Sequence, residues 1–359
     1  MNMTNKKNEY RKMNLADELL KKMDEKQNPC VVGLDPVIER IPKHLIPKYI
    51  HQKDSFEYVA RAFTDFNCAI IDAVADLVPA VKPQIAFYAK YGAVGLQAFK
   101  DTVDYAHSKG LIVIEDGKRG DIGSTSQAYA DGHLGVVRTQ SSQMYSLNVD
   151  ILTVNPYLGS DGLLPFVNVC SEHNKGIFIL TKTSNPSAGE FQDRLMDIDS
   201  GEEEELRKLG VQVAGKTQLY NLVALHVNRY AQKQIGERGY SSIGAVVGAT
   251  YPREAIMLRK IMPNSIFLVP GYGAQGATAK DLTNCFNDDG YGAVVNSSRE
   301  IIFAYEKEKN NEPEKFEKAS RNFAEHARKA TKLMIEDICG ALKDCGKYPV
   351  NWKEHPAQP

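Results

Sequence analysis

The 359-residue sequence lacks the features of a membrane-spanning or secreted protein. No apolar run approaches the ~20 residues that cross a bilayer, and the opening Met-Asn-Met-Thr-Asn-Lys-Lys-Asn has no apolar signal-peptide core. The six cysteines include no C-x-x-C pair, which argues against a disulfide framework and a zinc site. We therefore expect a cytoplasmic protein that has no membrane partner and keeps its thiols reduced.

The sequence also has almost no net charge and no histidine pair at metal-ligand spacing. Its 44 basic and 45 acidic residues nearly cancel, so there is no electrostatic footprint for nucleic acid or an anionic membrane. The eight histidines include no H-x-H or H-x-x-x-H pair. These absences predict that the protein binds neither nucleic acid nor a transition metal.

Eight short β-branched or aliphatic runs can be read along the chain. They span 30–35, 78–84, 111–118, 151–157, 176–184, 243–250, 266–273 and 292–299. The segments between them have helical periodicity, as in 56–74. Length alone would allow two domains, but eight strand and helix units predict one α/β domain, a (β/α)8 TIM barrel.

Three segments stand apart from these units. A polar tail over 1–14 precedes a barrel core of about 28–305, and a charge-rich extension over 306–359 follows it. The apolar positions Phe323, Ala327, Ala330, Leu333, Met334 and Ile338 predict a closing helix in this extension. The insert 188–215 is long for a barrel loop, and its run Glu202 to Glu205 predicts a solvated helix start. Loops of this length after a barrel strand are often lids, which is a second hypothesis for the insert.

Charged residues close the third run. Asp116 and Lys118 are two apart, so they would project from the same face of a strand, and Asp121 could return towards them from the following turn. A lysine held among carboxylates keeps its proton, which suits a proton donor better than a Schiff-base nucleophile. A surface ion pair is the alternative. The position at the carboxyl end of a predicted barrel strand favours an active site.

The pattern D-x-K-x-x-D-I-G-x-T in this region resembles the signature of orotidine 5'-monophosphate decarboxylases. Its residues are Asp116, Lys118, Asp121, Ile122, Gly123 and Thr125. Supporting motifs follow the family's order: Gly33-Leu34-Asp35-Pro36, Val81-Lys82-Pro83-Gln84, Thr183-Ser184-Asn185-Pro186, Pro270-Gly271-Tyr272-Gly273-Ala274-Gln275-Gly276 and Asn296-Ser297-Ser298-Arg299. The resemblance covers roughly residues 30 to 300 and is greatest to the branch of the family with extended loops.

The resemblance implies a reaction and a catalytic array. Orotidine 5'-monophosphate (OMP) would lose CO₂ from carbon 6 and give uridine 5'-monophosphate (UMP), the last step of de novo pyrimidine biosynthesis, without metal or organic cofactor. Lys82, Asp116, Lys118 and Asp121 would form the array, with Lys118 as proton donor to carbon 6.

The same resemblance implies five substrate-binding residues and a homodimer with shared active sites. Asp35 would accept a hydrogen bond from a ribose hydroxyl, and Thr125 would assist from the neighbouring subunit. Ser184 would read the pyrimidine edge. Gln275 would bridge towards the phosphate and Arg299 would bind it.

The segment 271–276 also fits the dinucleotide fingerprint G-x-G-x-x-G. That fingerprint belongs after the first strand of a βαβ unit with an acid about 20 residues on. Here it follows the seventh run, and Tyr291 stands at that spacing. Barrel enzymes commonly bind phosphate with the loops after strands seven and eight, so a phosphate site is the better interpretation.

Three other functions have to be weighed. A related barrel that acts on a sugar phosphate with Mg²⁺ would need an acidic metal ligand where this chain has Lys82. A Schiff-base aldolase needs a lysine that loses its proton in an apolar pocket, whereas these lysines accompany carboxylates. A non-catalytic nucleotide-binding barrel would have little reason to bury four charges, each of which costs several kcal/mol unless paired.

Overall fold

The computed structural model describes residues 13–46, 55–273, 276–310 and 312–352. The strands are β1 (Cys30–Leu34), β2 (Ala80–Pro83), β3 (Ile112–Arg119), β4 (Val136–Arg138), β5 (Gln143–Tyr145), β6 (Ile151–Val154), β7 (Gly176–Lys182), β8 (Leu195–Asp197), β9 (Lys216–Gln218), β10 (Ser241–Val247), β11 (Ser265–Val269) and β12 (Ala293–Ser297). The α-helices are α1 (Leu15–Lys26), α2 (Phe56–Val74), α3 (Ile85–Ala89), α4 (Gly92–Ser108), α5 (Gly123–His133), α6 (Ser160–His173), α7 (Ser200–Lys208), α8 (Leu219–Ala231), α9 (Pro252–Ile261), α10 (Ala279–Leu282), α11 (Arg299–Ile302), α12 (Pro313–Arg321) and α13 (Phe323–Asp344).

Eight of the strands close into a barrel in the order β1-β12-β11-β10-β7-β6-β3-β2. Every neighbouring pair in this ring is parallel, and helices connect successive barrel strands. Each predicted run overlaps one barrel strand, so the predicted (β/α)8 architecture is confirmed. The carboxyl ends of all eight strands therefore open on one face of the barrel.

Strand alternation divides the buried residues into two layers. Ile114, Phe178 and Val294 belong to a cluster that fills the barrel lumen. Their neighbours Val113 and Ile177 point outwards and pack beneath the helices in a second, larger cluster. Both faces of each strand are covered, which explains why the strands read as nearly continuous apolar runs.

Helix α1 closes the amino end of the barrel. Leu15, Leu19 and Met23 are buried in the same cluster as the lumen residues. The side chain of Asn14, which caps α1, donates hydrogen bonds to the carbonyl oxygens of Gln234 at 2.8 Å and Tyr240 at 3.1 Å. The opposite, carboxyl end is left for the loops that carry the sequence motifs.

Two segments outside the barrel behave as the sequence predicts. The glutamate run lies in α7, where Asp199 and Glu202 form a capping box and acidic groups favour the helix N-terminus. Strands β8 and β9 pair as an antiparallel hairpin around this helix. The predicted closing helix is α13, where Phe323 stacks on Phe66 of α2 at 5.0 Å between ring centroids.

The six cysteines are free, and four of them are buried. Within the described ranges, none of the helices is long and apolar enough to cross a membrane.

Candidate functional site

A charged array lies at the carboxyl ends of β2 and β3. Nζ of Lys82 lies 2.8 Å from Oδ2 of Asp116, and Nζ of Lys118 forms an ion pair with Oδ1 of the same carboxylate. The side chains of Lys82 and Asp116 are 5% and 16% exposed, whereas that of Lys118 is 47% exposed. One carboxylate therefore joins a buried lysine to a lysine that a ligand can reach.

The charges in this array stabilise one another. Burial alone would raise the pKa of Asp116, but the positive charges of Lys82 and Lys118 outweigh it and hold that pKa well below the ordinary value. Burial alone would lower the pKa of Lys82, but the negative charges of Asp116 and Asp35 raise it. Lys82 and Asp116 are therefore both ionised at neutral pH.

This shift predicts how Asp116→Asn changes stability in acid. Because the pKa of Asp116 is lower in the folded chain, its carboxyl contributes stability above its unfolded pKa of about 4, and that contribution is lost as pH falls through the folded value. The free energy of unfolding of the protein minus that of the variant should be constant above about pH 6 and decrease below about pH 4. Urea unfolding across this range measures the difference, and a pH-independent difference would contradict the prediction.

A bulge in β3 presents the array. Glu115 pairs with Leu152 and Arg119 pairs with Val154, so the three residues between Glu115 and Arg119 lie opposite the single residue Thr153 of β6. A regular strand was expected to place Asp116 and Lys118 side by side. Their side chains do form an ion pair, but the strand is not regular there, because β3 has two more residues than β6 between the paired positions.

Lys118 has a backbone conformation that sequence pattern does not predict. Its φ is 48°, in the left-handed region that few non-glycine residues adopt. The backbone N–H groups of Gly117 and Lys118 donate to Oγ1 of Thr153 at 3.0 and 2.9 Å, and this hydroxyl lies 3.2 Å from Oδ1 of Asp116. Strained residues held by such contacts cluster at functional sites.

Thr153 is a residue that sequence reasoning missed. It is buried and faces the lumen side of β6, in a run that otherwise reads as apolar. A lone hydroxyl at an inward position near the end of a barrel strand was the available signal.

Asp121 is not bonded to the array within its own chain, although the motif alone allowed it to return towards the lysines. Its Oδ1 accepts the backbone N–H of Ile122 at 2.8 Å, and in the described structure it makes no hydrogen bond or salt bridge to Lys118. The chain runs directly from β3 into α5, whose Ser126 hydroxyl binds a carbonyl oxygen of α6. Thr125, in the first turn of this helix, is exposed.

Buried oxygen atoms without a partner line the same end of the barrel. Within the described residues, Oδ1 of Asp35, Oγ1 of Thr250 and Oδ1 of Asn296 are buried and make no hydrogen bond. They follow or end β1, β10 and β12. An unpaired buried polar group is costly, so these atoms are suited to hydrogen bonds from a ligand. Only Asp35 was named as a binding residue from the sequence.

The remaining predicted binding residues lie around this opening. Ser184 is half-buried two residues after β7, and Arg299 is exposed at the start of α11. In the part of the chain that the structure describes, no hydrogen bond or salt bridge involves the guanidinium of Arg299, so it is available to an anion. Gln275 lies outside the described residues.

A second buried lysine attaches the insert 188–215 to the barrel. Lys182, at the end of β7, is fully buried, forms an ion pair with Asp193 and lies 4.3 Å from the ring centroid of Tyr251. This contact holds the start of the insert beside Ser184. The sequence signal was a lysine that ends an otherwise apolar run.

Among the described residues, there is no group of three or more His, Cys, Asp or Glu side chains that could hold a metal ion. The charged groups at the carboxyl end instead offer cations and hydrogen-bond acceptors to an organic anion.

Comparisons with known proteins agree on one family. The model of the orotidine 5'-phosphate decarboxylase / HUMPS family matches residues 31–312. A protein named orotidine 5'-phosphate decarboxylase from Rhodopirellula baltica is 46% identical over 312 residues, which are 86% of this chain and 93% of that protein. One of the same name from Caldicellulosiruptor bescii is 38% identical over 309 residues, 86% of this chain and 94% of its own. The solved OMP decarboxylase of Leishmania donovani is 26% identical, with a TM-score of 0.62, covering 92% of this chain and 98% of its own.

Proposed function

Because the chain belongs to the orotidine 5'-phosphate decarboxylase / HUMPS family, we propose that it converts OMP to UMP and CO₂ in the last step of de novo pyrimidine biosynthesis. The observation that carries the proposal is the Lys82–Asp116–Lys118 array, in which one carboxylate is held between a buried and an accessible ammonium group. A decarboxylation that leaves negative charge on carbon needs this combination of cation and proton donor.

Lys118 is the proposed proton donor. When the bond from carbon 6 to the carboxylate breaks, the electron pair stays on carbon 6, and the Nζ of Lys118 stabilises this charge and delivers the proton. Its exposure of 47% leaves it accessible to substrate. The reaction must use the upper part of the ~8 to 23 kcal/mol by which enzymes lower barriers, so electrostatic stabilisation of the developing charge has to be the main contribution.

Asp116 has a smaller direct effect in this mechanism. Repulsion between its carboxylate and that of the substrate would contribute roughly 4 kcal/mol at about 4 Å with an effective dielectric of 20. Its larger role is to orient Lys118, to which it is ion-paired. Lys82 neutralises Asp116 from the buried side and prevents an excess of negative charge.

Phosphate and ribose contacts would supply affinity. Arg299 is the proposed phosphate ligand, assisted by Gln275, because its guanidinium is exposed next to the end of β12. Asp35 would accept a ribose hydroxyl at its unpaired Oδ1. Ser184 would read the pyrimidine edge. Binding of the remote phosphate would favour closure of the loops, with the insert 188–215 as the proposed lid.

A two-fold homodimer with composite sites accounts for the position of Asp121, which would reach Lys118 of the partner chain together with Thr125. The surface around Asp121 supports this proposal because Ile122, Tyr157 and Leu158 are 52%, 83% and 49% exposed. Clustered exposed apolar side chains mark interaction surfaces. Cytoplasmic location, and a single domain with its core at about 28–305, stay predictions from the sequence.

The proposed activity should need no metal and no organic cofactor, since Lys82 occupies the place of a metal-binding acid and would repel a divalent cation. The protein is expected to remove the ultraviolet absorbance of OMP at the same rate before and after treatment with EDTA. Activity that EDTA abolishes and Mg²⁺ restores would contradict this prediction. Absence of turnover under both conditions would contradict the proposed function itself.

A further inference from the structure

A hydrogen-bonded chain on the outer face of β3 joins the two ends of the bulge. Oε2 of Glu115, just before the bulge, lies 2.7 Å from Nδ1 of His133, and Nε of Arg119, just after it, donates to Nε2 of His133 at 3.3 Å. The side chains of His133 and Glu115 are 8% and 0% exposed. We name these three residues the outer clamp.

The donors of the outer clamp determine the tautomer of His133. A guanidinium can only donate, so Nε2 must carry the lone pair that accepts the N–H of Arg119. The remaining proton then lies on Nδ1 and is donated to the carboxylate of Glu115. The geometry therefore requires a neutral imidazole, protonated on Nδ1, that bridges an anion and a cation.

The outer clamp is fitted to the bulge. A Cβ on Gly117 would lie 2.7 Å from Oε1 of Glu115 and 3.0 Å from Cδ1 of Leu152, so the glycine lets the buried carboxylate pack directly against the backbone of the bulge. His133 is the last residue of α5, the helix that begins directly after the Asp121 turn. The chain thus leaves the bulge at Arg119, and the last residue of α5, His133, brings it back into contact with the bulge.

We propose that His133 is a positioning residue for the decarboxylation: through Glu115 and Arg119 it fixes the bulge that aims Asp116 and Lys118 into the site. The proposal rests on the proposed function. The outer clamp touches no substrate position, because Glu115 and Arg119 point away from the lumen side that carries Asp116 and Lys118. Its effect is transmitted by the backbone of residues 115–119, in which Lys118 already has a strained φ.

The test compares two histidine variants that are matched in chemistry. His133→Ala breaks the outer clamp, whereas His107→Ala breaks a 2.8 Å contact between a helix histidine and Asp150, just before the amino end of β6. We expect His133→Ala to lower kcat roughly 10- to 100-fold, as small misplacements of catalytic groups do, with little change in UMP affinity. His107→Ala should leave kcat unchanged when activity is expressed per folded molecule. The folded fraction is measured by the stoichiometry of UMP binding. Equal losses of kcat in both variants would overturn the proposal.

If His133→Ala folds poorly, two further variants, Arg119→Met and His133→Gln, can test the proposal in its place. Arg119→Met removes the second hydrogen bond but keeps an unbranched side chain, and it should also lower kcat rather than UMP affinity. Glutamine at position 133 can place its amide oxygen near the former Nε2 and should recover part of the loss. A loss confined to UMP affinity in Arg119→Met would overturn the proposal.

Two measurements do not depend on activity. Nitrogen NMR of His133 should show a neutral ring that is protonated on Nδ1. Exchange of the backbone amide hydrogen of Lys118, which is bound to Thr153, should accelerate in His133→Ala and not in His107→Ala. If the protein does not decarboxylate OMP, the proposed function fails, while these two results still decide whether the outer clamp holds the bulge. An Nε2-protonated ring, or unchanged exchange in His133→Ala, would overturn it.

Discussion

Replacing Lys118 with alanine is expected to abolish turnover of OMP while UMP still binds with nearly unchanged affinity. Charge stabilisation and proton donation at carbon 6 act in the transition state, whereas affinity for the nucleotide comes mainly from phosphate and ribose contacts. If no other residue takes over this role, kcat should fall by many powers of ten. Single-turnover kinetics with OMP and calorimetric titration with UMP measure the two quantities separately.

Arg299→Ala is the matched comparison for Lys118→Ala, because it removes a cation from the proposed phosphate site and leaves the array intact. It should raise KM strongly and also lower kcat, since phosphate binding assists loop closure. The assignment of roles would be wrong if both variants showed the same balance between KM and kcat effects.

The second large effect concerns assembly. Lys118→Ala and Asp121→Ala subunits should each be inactive alone, yet a mixture that is unfolded and refolded together should regain activity. In a two-fold dimer with shared sites, a mixed dimer has one doubly damaged site and one intact site. With equal amounts and random pairing, half of the molecules are mixed, so about a quarter of the activity of the unmodified protein should return.

The structure motivates this experiment because Asp121 makes no hydrogen bond or salt bridge to Lys118 in the described chain. If Asp121 served the site of its own chain, every site in the mixture would keep one lesion. Native mass spectrometry should establish that heterodimers have formed. An inactive mixture that contains them would rule out the shared site, even if the protein decarboxylates OMP.

The barrel could be predicted from the sequence because its strands are buried on both faces. Each strand reads as a continuous apolar run, and eight such runs separated by helical segments admit few architectures. Helix α2 could be predicted in the same way, since its buried stripe repeats with helical period from Val59 to Val74, although Phe56, which the sequence placed on that stripe, is exposed.

The array could be predicted only in part. Strand periodicity predicted that the side chains of Asp116 and Lys118 lie side by side. In the structure they do so in a β-bulge, which depends on tertiary contacts with Thr153 and which the sequence pattern did not predict. The pairs Lys182–Asp193 and Glu115–His133 were not predicted either, because their partners lie 11 and 18 residues apart and no local sequence pattern indicates such pairs. The substrate roles of Asp35, Ser184, Gln275 and Arg299 rest on the resemblance and stay proposals.

The bulge also restricts how the length of this motif can vary. Three residues of β3 occupy the space of one residue of β6, an excess of two. Because side chains alternate with a period of two, an even excess preserves the parity of the strand, and Glu115 and Arg119 both face outwards. Deleting or inserting one residue would reverse that parity and turn Arg119 towards the lumen, away from His133. The spacing between Asp116 and Lys118 is thus set by the geometry of a strand as much as by the chemistry of the pair.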